Sequence, residues 1–395
     1  MRILFLNHNV VGSGTFQRAF NFAARLVSRG HAVTLVTTSR SARLCARRIE
    51  RNGVHLVEAP DLLWGVGRTG WDPYNAMRRV RLLAGETFDL VHAFDARPAV
   101  ILPALAAANR GAALFMDWAD WWGRGGTIEE RSGWLVRTLF GPIETWFEEA
   151  FRTRAVAATV ISAALESRCT SLGVAPDRVL RLANGCVQPD PHRPRRDEAR
   201  TRLGLDDAPL LVHLGTMHPG DATLLFDAVR HARLTRPDLR LALVGGYRGR
   251  LPDDRVLAAA VRTTGFVTDD DVALWLAAAD ACVVALRDTI ANRGRWPGKV
   301  NEYMTAGRAT VMPEVGDAAT VVREQGTGFV CSADPVHFAA AMVRAIEDDL
   351  GRSAAERRSI EVAATTLGWT AVAARLDAFY DTMIGRPAVP VRASA

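Results

Sequence analysis

The chain has 395 residues, of which 49% are hydrophobic and 23% charged, and its net charge is +6. Single hydrophobic cores stop growing at roughly 250–300 residues, so this length predicts two or three domains, and the composition excludes a disordered or fibrous protein. The apolar runs are far shorter than the roughly 20 residues of a membrane-spanning helix. Polar residues interrupt the opening MRILFLNHN, which is unlike a secretory signal. We therefore expect a cytoplasmic protein, at most located at the inner face of a membrane.

The basic excess is modest and spread along the chain. No basic run alternates with aromatic residues, which argues against nucleic acid as a partner. Five scattered cysteines form no CxxC pair and no zinc-like spacing with histidine, so we predict no metal site. Every basic residue except Lys299 is an arginine. Either this lysine survived by chance or its amine has a task that a guanidinium cannot perform.

The first half of the chain alternates strand and helix signals. RILFLN predicts a strand and VVGSGT a glycine turn, and a helix follows whose apolar stripe is Phe16, Phe20, Ala23 and Val27. HAVTLVTTS then predicts the next parallel strand. Four more strand signals follow, namely GVHLVEA, DLVHAF, AALFMDW and ATVISA. The first half is thus predicted to form one doubly wound α/β domain.

The alternation restarts after a charged, proline-rich stretch. The second set of predicted strands is LLVHLG, RLALVGG, TTGFVT, ACVVALR, ATVMPEV and GFVCSA. We predict Rossmann-like domains over 1–188 and 201–366, a linker over 189–200, and a C-terminal helix with a loose tail over 367–395. Ligands of such sheets bind at the carboxyl ends of the strands, so two such domains facing each other would enclose a ligand between them.

The strongest chemical signal lies in residues 292–316. Pro297 and Gly298 precede a short helix that begins near Lys299, and a helix start favours anions through its free N–H groups and its dipole. Lys299 adds a positive charge suited to phosphate. Glu302 lies one turn further on, where a carboxylate can accept two ribose hydroxyls. The other interpretation is a capped surface helix whose lysine and glutamate are merely solvated.

This segment resembles the pattern Pro-x-Lys-x-x-Glu-Tyr-Met-x-x-Gly of family 4 glycosyltransferases with the GT-B fold. The matching residues are Pro297, Lys299, Glu302, Tyr303, Met304 and Gly307. RGHAVTLVT, VISAALESRCTSLGVAPDRVLRLANGCV and RLALVGG extend the resemblance over nearly the whole chain. It implies two facing Rossmann-like domains with the C-terminal helix packed back on the first. It also implies transfer of a sugar from a nucleotide diphosphate sugar, with retention and without an essential metal or cofactor.

The resemblance further implies roles for individual residues. Glu302 would hold the ribose, Lys299 and nearby backbone N–H groups would meet the phosphates, and Phe266 would line the base. The loop GSG would approach the diphosphate from the other domain, because a side chain there would block the backbone. The residues expected to bind the nucleotide sugar are Gly12, Ser13, Gly14, Gly215, Thr216, Gly246, Phe266, Val267, Arg293, Arg295, Gly298 and Val300.

Two positions depart from the family pattern. Members commonly carry a second glutamate eight residues before the ribose glutamate, and that position is Gly294 here. Many also carry an arginine and a lysine after the first strand of the donor domain, where this chain reads GTMHPGDAT. We expect Arg293, Arg295 and Lys299 to replace that pair. The departures leave open the donor sugar, and also a nucleotide-sugar epimerase, a sugar-phosphate synthase or an inactive scaffold of the same fold.

The acceptor side is assigned to LFMDWADWWGRGG. A family loop at this position often carries a histidine near the reacting sugar, and Asp117 stands there in this chain, which makes it the third catalytic candidate beside Lys299 and Glu302. Helix capping is the alternative role for this carboxylate. The tryptophans would stack on a sugar or an apolar acceptor, or else pack on the next helix. The other acceptor-side candidates are Trp118, Asp120, Trp121, Trp122, His92 and Asp95.

Three further features complete the prediction. The DxD spacing in residues 269–271 opens a helix, so N-capping explains it better than a metal site. VVGSGT is not a GxGxxG loop, which argues against a nicotinamide enzyme. Residues 134–155 form an amphipathic stretch that either docks on the sheet or contacts a membrane surface. The expected partners are a nucleotide-sugar donor and a small-molecule, glycan or lipid-linked acceptor.

Overall fold

The computed structural model describes residues 1–41, 43–131, 133–247 and 249–385, the side chains of Val66 and Gly67 excepted. The chain forms two compact units. The first unit contains residues 1–184 and the chain from Trp369 onward, and the second is Gly185–Gly368. The boundaries predicted at 188 and 366 fall a few residues from these.

An eight-stranded sheet runs through the first unit. Its strands are β1 (Arg2–Val10), β2 (Ala32–Thr38), β3 (Arg47–Arg51), β4 (Val54–Ala59), β5 (Leu90–Phe94), β6 (Ala113–Trp118), β7 (Ala157–Val160) and β8 (Val179–Arg181). Their order is β3-β4-β2-β1-β5-β6-β7-β8, parallel except for the antiparallel pair β3–β4. The sequence analysis missed β3, whose charged RRIER carries no apolar alternation, and β8, which has only three residues.

Helices cover both faces of this sheet. They are α1 (Phe16–Val27), α2 (Pro73–Leu82), α3 (Pro98–Ala108), α4 (Thr127–Glu130), α5 (Gly141–Ala150) and α6 (Ala163–Ser171). In α1 the predicted stripe is confirmed, since Phe16, Phe20 and Ala23 are buried against the core of one face. Val100, Ile101 and other residues of α3 fill the core of the opposite face. Both faces of a parallel sheet are thus buried, as its apolar strands require.

The second unit contains a six-stranded, fully parallel sheet. Its strands are β9 (Leu210–Leu214), β10 (Arg240–Val244), β11 (Val261–Gly265), β12 (Ala281–Val283), β13 (Thr310–Pro313) and β14 (Gly328–Cys331). Their order is β11-β10-β9-β12-β13-β14. Each of the six predicted segments overlaps one strand. β11 ends at Gly265, so Phe266 and Val267 lie in the loop beyond it.

Nine helices of the second unit belong to the residues described. They are α7 (Arg196–Leu203), α8 (Pro219–Thr235), α9 (Arg255–Ala260), α10 (Asp269–Ala278), α11 (Ile290–Arg293), α12 (Lys299–Thr305), α13 (Gly316–Glu324), α14 (Pro335–Glu347) and α15 (Asp349–Ala364). α7 begins within the last residues of the predicted linker. Arg200 donates to Asp280 at 2.8 Å, which anchors this helix to the second unit. At α10 the capping prediction is confirmed, with Thr268 as the N-cap and Asp271 completing a capping box.

The last helix, α16 (Trp369–Ile384), returns to the first unit. Its buried residues Trp369, Leu376 and Tyr380 join the core that also holds α1. Asp377 accepts from His31 at 2.8 Å and from Arg29 at 2.6 Å. The predicted fold class is therefore confirmed, with two Rossmann-like α/β units and a C-terminal helix packed on the first.

Among the described helices, none combines the length and the apolarity that crossing a bilayer requires.

Candidate active site

Three glycine turns lie side by side where strands β9, β10 and β11 end. Gly215 follows β9 with φ +78, and its N–H donates to Val244 of β10 at 2.7 Å. Gly245 follows β10 with φ +105, and its N–H donates to the carbonyl of Gly265 at 3.1 Å. A Cβ on Gly245 would come within 3.3 Å of the Gly215 backbone. The close packing keeps backbone exposed at the carboxyl edge of the sheet, where a ligand can approach.

Gly246 and Phe266, both predicted to bind the nucleotide, are brought together at this edge. The Phe266 ring is 80% exposed. A Cβ on Gly246 would lie 2.4 Å from that ring, so the glycine is what allows the ring to lie there. Val267 is half-buried next to it. An exposed flat ring of this kind can stack on a planar base.

Lys299, the first residue of α12, points back to β9. Its Nζ donates to Nε2 of His213 at 2.9 Å and to the Thr216 carbonyl at 3.2 Å. His213 is fully buried, and its Nδ1 donates to the Val283 carbonyl at 3.0 Å, which leaves Nε2 as the acceptor. Burial lowers the pKa of Lys299 to about 8, against the opposing effect of Glu302. The lysine is thus held in place as an amine that remains largely charged at neutral pH.

Glu302 lies one turn along α12 and points outward. Its side chain is exposed and makes no hydrogen bond to the residues that the structure describes. Desolvation raises the pKa of Glu302, and Lys299 counteracts that rise. Tyr303 fixes the helix, since its buried hydroxyl accepts from the Leu214 N–H at 2.9 Å and donates to the Val283 carbonyl at 3.2 Å. A free carboxylate on a fixed helix can accept hydrogen bonds from a ligand.

The start of α12 corrects one part of the prediction. The Val300 N–H, expected to meet a phosphate, already donates to the Pro297 carbonyl at 3.0 Å, since the chain tightens into a turn there. The next backbone N–H, that of Asn301, likewise donates to the Gly298 carbonyl at 3.0 Å. Gly298 itself is exposed. Of the three predicted contributors around this turn, only Gly298 and Lys299 keep their predicted position open to a ligand.

The two arginines expected to replace the missing cations both have acidic neighbours. Arg293 is bound by Asp288 through hydrogen bonds of 2.5 and 2.6 Å. Arg295 lies 3.9 Å from Asp221. Arg293 is therefore held on the surface by Asp288, whereas Arg295 stays near the lysine.

Asp221 and Arg287 are site residues that the sequence analysis missed. The buried Asp221 accepts from the Arg287 N–H at 2.9 Å and from the Asn292 amide at 3.1 Å. The Arg287 guanidinium packs over Gly220 and contacts His218 at 3.3 Å. Asp221 stands in the first turn of α8. The preceding residues GTM contain no sequence motif that would have identified it as a site residue. A carboxylate in the first turn of a helix would have been the usable sign.

The loop GSG follows β1 in the first unit, as predicted. Gly12 and Gly14 have φ +83 and +54, and Ser13 is exposed. The Asn9 side chain fills the space beside Gly14 and accepts from Thr15 at 2.9 Å. The glycines thus let the loop turn tightly around Asn9. The Ser13 N–H, expected to approach a diphosphate, already donates to the Val10 carbonyl at 3.0 Å.

Asp117 does not stand where the sequence placed it, at a site open to an acceptor. It is 1% exposed and makes a bidentate pair with Arg18 at 2.9 and 3.0 Å, and Thr159 donates to it at 2.5 Å. Burial acts to raise the pKa of Asp117, but Arg18 brings it below its ordinary value. The carboxylate is a buried ion-pair partner because β6 carries it into the core of the sheet.

His92 and Trp118 are likewise core residues and not an acceptor surface. His92 lies on β5 between Tyr380 at 2.5 Å and Thr159 at 3.1 Å, and burial lowers its pKa to about 4. The Trp118 indole donates to Glu148 at 2.9 Å, and the Arg152 guanidinium covers its ring at 3.6 Å. No face of that ring is left for a sugar.

The remaining acceptor-side candidates lie nearer the surface. Trp121 and Trp122 are half-buried, and Arg97 stands 4.8 Å over the Trp122 ring. Asp120 is half-buried. Asp95 has φ +91, a conformation that costs a non-glycine residue free energy, and lies 3.2 Å from the buried His8. This strained carboxylate follows β5 at its carboxyl end.

Within the described ranges, no group of three or more His, Cys, Asp or Glu side chains is placed to hold a metal ion.

Two family profiles match the chain. One, described as "Glycosyl transferase 4-like domain", matches residues 13–185, and the other, "Glycosyl transferases group 1", matches residues 208–348. They cover most of the first and second units respectively.

Curated relatives match a shorter stretch. D-inositol 3-phosphate glycosyltransferase 1 of Catenulispora acidiphila is 33% identical over 241 residues, which are 54% of this chain and 55% of the relative. D-inositol 3-phosphate glycosyltransferase of Thermobispora bispora is 30% identical over 243 residues, 56% of this chain and 55% of the relative. The chain thus spans about half the length of the curated relatives it matches.

Solved structures resemble the chain over almost its whole length. Sucrose-phosphate synthase from Thermosynechococcus elongatus has 15% identity and a TM-score of 0.71, covering 97% of this chain and 99% of that one. Anabaena HepE in complex with UDP and glucose has 15% identity and a TM-score of 0.68, covering 97% and 100%. At such identity these likenesses show the fold alone, which is GT-B. Together with the two profiles, they show that the chain belongs to the group 1, family 4-like glycosyltransferases.

Proposed function

We propose that this protein transfers a sugar from a nucleotide diphosphate sugar to a hydroxyl acceptor, with retention at the anomeric carbon and without a metal or cofactor. The observation that carries the proposal is the arrangement around Lys299. A fixed amine, an exposed carboxylate and three glycine turns share the carboxyl edge of one parallel sheet. That edge is where α/β sheets bind nucleotides.

The geometry of the second unit supports the donor-side roles that the family resemblance implies. Glu302 accepts hydrogen bonds from the ribose hydroxyls, and the Phe266 ring stacks on the base. Lys299 neutralises charge on the diphosphate as the bond from the anomeric carbon to the diphosphate oxygen breaks. Arg287 and Arg295, both near Asp221, are the further cations available to the leaving group. Charge development on that leaving group is the part of the reaction that fixed cations accelerate most.

The identity of the acceptor is guided by the relatives. Two are named D-inositol 3-phosphate glycosyltransferases, so an inositol phosphate belongs in the first panel of acceptors. Asp117, the catalytic candidate on the acceptor side, is not available to an acceptor hydroxyl, since Arg18 and Thr159 use its oxygens. Asp95 and Asp120 remain candidates for steering the acceptor hydroxyl.

The test starts with thermal shift of the purified protein in UDP, GDP, dTDP and ADP, because a ligand that binds the folded state raises the melting temperature. Glu302→Ala should abolish the shift given by the preferred nucleotide. Glu347→Ala, at an exposed glutamate that pairs with Arg236 near the amino-terminal start of β10, serves as the control and should leave the shift unchanged. A Glu302→Ala protein that responds like the parent would refute the ribose assignment.

Nucleotide release with and without acceptor then separates the reactions. Release that depends on acceptor, with the anomeric configuration kept in the product, supports the transferase. Release without acceptor indicates a hydrolase or epimerase, and binding without turnover indicates a scaffold. Full turnover after treatment with EDTA supports the proposal of a metal-independent reaction.

A further inference from the structure

Helix α5 in the first unit has its polarity reversed. Its inward side carries the polar residues Glu144, Thr145 and Glu148, each about 95% buried. Its outward side carries Ile143 and Trp146, which are exposed. A surface helix of a water-soluble protein normally shows the opposite distribution, so the outward side is unfavourable in water.

The inward carboxylates fix this orientation. Glu148 accepts from the Trp118 indole at 2.9 Å and from the N–H groups of Trp122 and Gly123 at 2.8 and 2.7 Å. Glu144 pairs with Arg131 at 2.9 Å and with Arg97 at 3.3 Å. Turning the helix to bury its apolar side would break all of these bonds and leave charges unpaired in the interior. The apolar side is therefore held outward by the fold.

The exposed apolar side continues into the turn of helix that precedes α5. We call it the apolar face, and it consists of Trp134, Leu135, Leu139, Phe140, Ile143 and Trp146. These six side chains are between 47% and 67% exposed. Exposed apolar residues grouped in this way mark an interaction site, whereas single ones are ordinary.

The charges along the face have one sign. Between Gly133 and Ala150, Glu144 and Glu148 are buried and Glu149 is ion-paired with Arg168. Arg137 is exposed within the same stretch. Exposed arginines at 124 and 154 flank it together with one exposed carboxylate, that of Glu129, so the exposed charges remain mainly positive, and the whole chain has a net charge of +6. The surface surrounding the apolar side chains is therefore suited to an anionic partner.

We propose that the apolar face binds the surface of an anionic lipid bilayer. Trp134, Phe140 and Trp146 enter the headgroup region, where aromatic rings are favoured, and Arg137 meets lipid phosphates. A symmetric dimer through this face would bring it against its own copy. Arg137 would then approach a second cation, with no exposed carboxylate between Gly133 and Ala150 to pair with either one.

The experiment is co-sedimentation of the full chain with vesicles of phosphatidylcholine, with and without phosphatidylglycerol. The parent should bind the anionic vesicles, and Ile143→Ser/Trp146→Ser should lower that affinity at least tenfold. Arg137→Glu should lower binding to anionic vesicles more than to neutral ones. Leu234→Ser/Leu350→Ser removes two leucines of the second unit that are even more exposed than Ile143 and Trp146, and it should leave binding unchanged. Circular dichroism melting confirms that each variant is folded.

Three outcomes would overturn the proposal. The parent could fail to bind anionic vesicles, or the Ile143→Ser/Trp146→Ser protein could bind them as tightly as the parent. Sedimentation velocity without lipid could instead reveal a dimer that the same double substitution dissociates, which would give the face to a second copy of the chain. None of these readouts depends on enzymatic activity, so they are independent of the proposed function.

Discussion

The Lys299 amine is held by a neutral side chain, that of His213, which does not cancel its positive charge. His213 is neutral because burial keeps its pKa well below the ordinary value, and its Nε2 accepts from the lysine amine. A carboxylate in that place would have cancelled the lysine charge. An imidazole instead fixes the amine and leaves its charge available for a diphosphate.

The pH dependence of nucleotide binding follows from this arrangement. Burial lowers the pKa of Lys299 to about 8, so the amine is charged below that pH and neutral above it. We expect nucleotide affinity to fall as pH rises through about 8, and Lys299→Arg to remove this fall because a guanidinium stays charged. Isothermal titration calorimetry between pH 7 and 9.5 measures it. A parent affinity that is flat across this range would contradict the role of Lys299.

Asp117 is expected to serve stability. Asp117→Ala leaves the buried Arg18 unpaired, which costs about 3–5 kcal/mol, and the melting temperature should fall accordingly. Arg18→Met/Asp117→Leu, which removes both charges, should recover much of the loss. Asp288→Ala breaks the exposed pair with Arg293 and should cost at most about 1 kcal/mol. An Asp117→Ala protein that melts like the parent but has lost turnover would restore the catalytic role.

At the scale of elements, the site depends on helices and turns placed at strand ends. The short α12 is tied to β9 and β12 through the Tyr303 hydroxyl. Parallel strands bring their carboxyl ends to one edge, which gathers Gly215, Gly245 and Gly265 although they are far apart in the chain. Local patterns set each turn, and the sheet sets their proximity.

The start of α10 offers a test at this scale. Thr268 accepts from the Asp271 N–H at 3.2 Å, and the Asp271 carboxylate accepts from the Thr268 N–H at 3.3 Å. Thr268→Ala should cost about 1 kcal/mol because the hydroxyl that accepts from the Asp271 N–H and donates to the Asp271 carboxylate is lost, whereas Thr268→Ser keeps the cap and should be nearly neutral. Urea denaturation of the two variants measures the difference. Equal loss in both would show that the methyl group matters and not the cap.

The whole molecule consists of two units with separate cores. The core of the second unit is made from residues of Gly185–Gly368, and the core of the first includes α16 from the end of the chain. Each unit has both faces of its sheet covered. The second unit is therefore one continuous stretch of the chain. The first unit is continuous except that α16, from the end of the chain, also belongs to it.

This division predicts different results for two truncations. A fragment of residues 185–368 should fold alone and bind nucleotide, since it contains its whole core and Lys299, Glu302 and Phe266. The fragment of residues 1–368 lacks α16 and should lose cooperative melting of the first unit. Removing Trp369, Leu376 and Tyr380 leaves the core of that unit exposed to water. Calorimetry of both fragments tests this. A molten 185–368 fragment would show that the second unit needs the first.

Much of this could be predicted from the sequence. The strand segments of the second unit, the stripe of α1 and the capping role of residues 269–271 follow from local periodicity, which is a property of neighbouring residues. The pattern from Pro297 to Gly307 likewise placed Lys299 and Glu302 on one short helix. The strand β3 was not predicted from the sequence, because a charged edge strand shows no apolar alternation.

The sequence by itself determined two α/β units, their approximate limits and the pair Lys299 and Glu302. Only the tertiary structure decided that Asp117 pairs with Arg18, 99 residues away, that His213 contacts Lys299 and Asp221 contacts Arg287, and that helix α5 faces its apolar side outward. Burial and pairing depend on residues distant in the chain. A local pattern can identify a candidate residue. The partners that the sheet brings next to its side chain decide whether its charge is paired within the protein or available to a ligand.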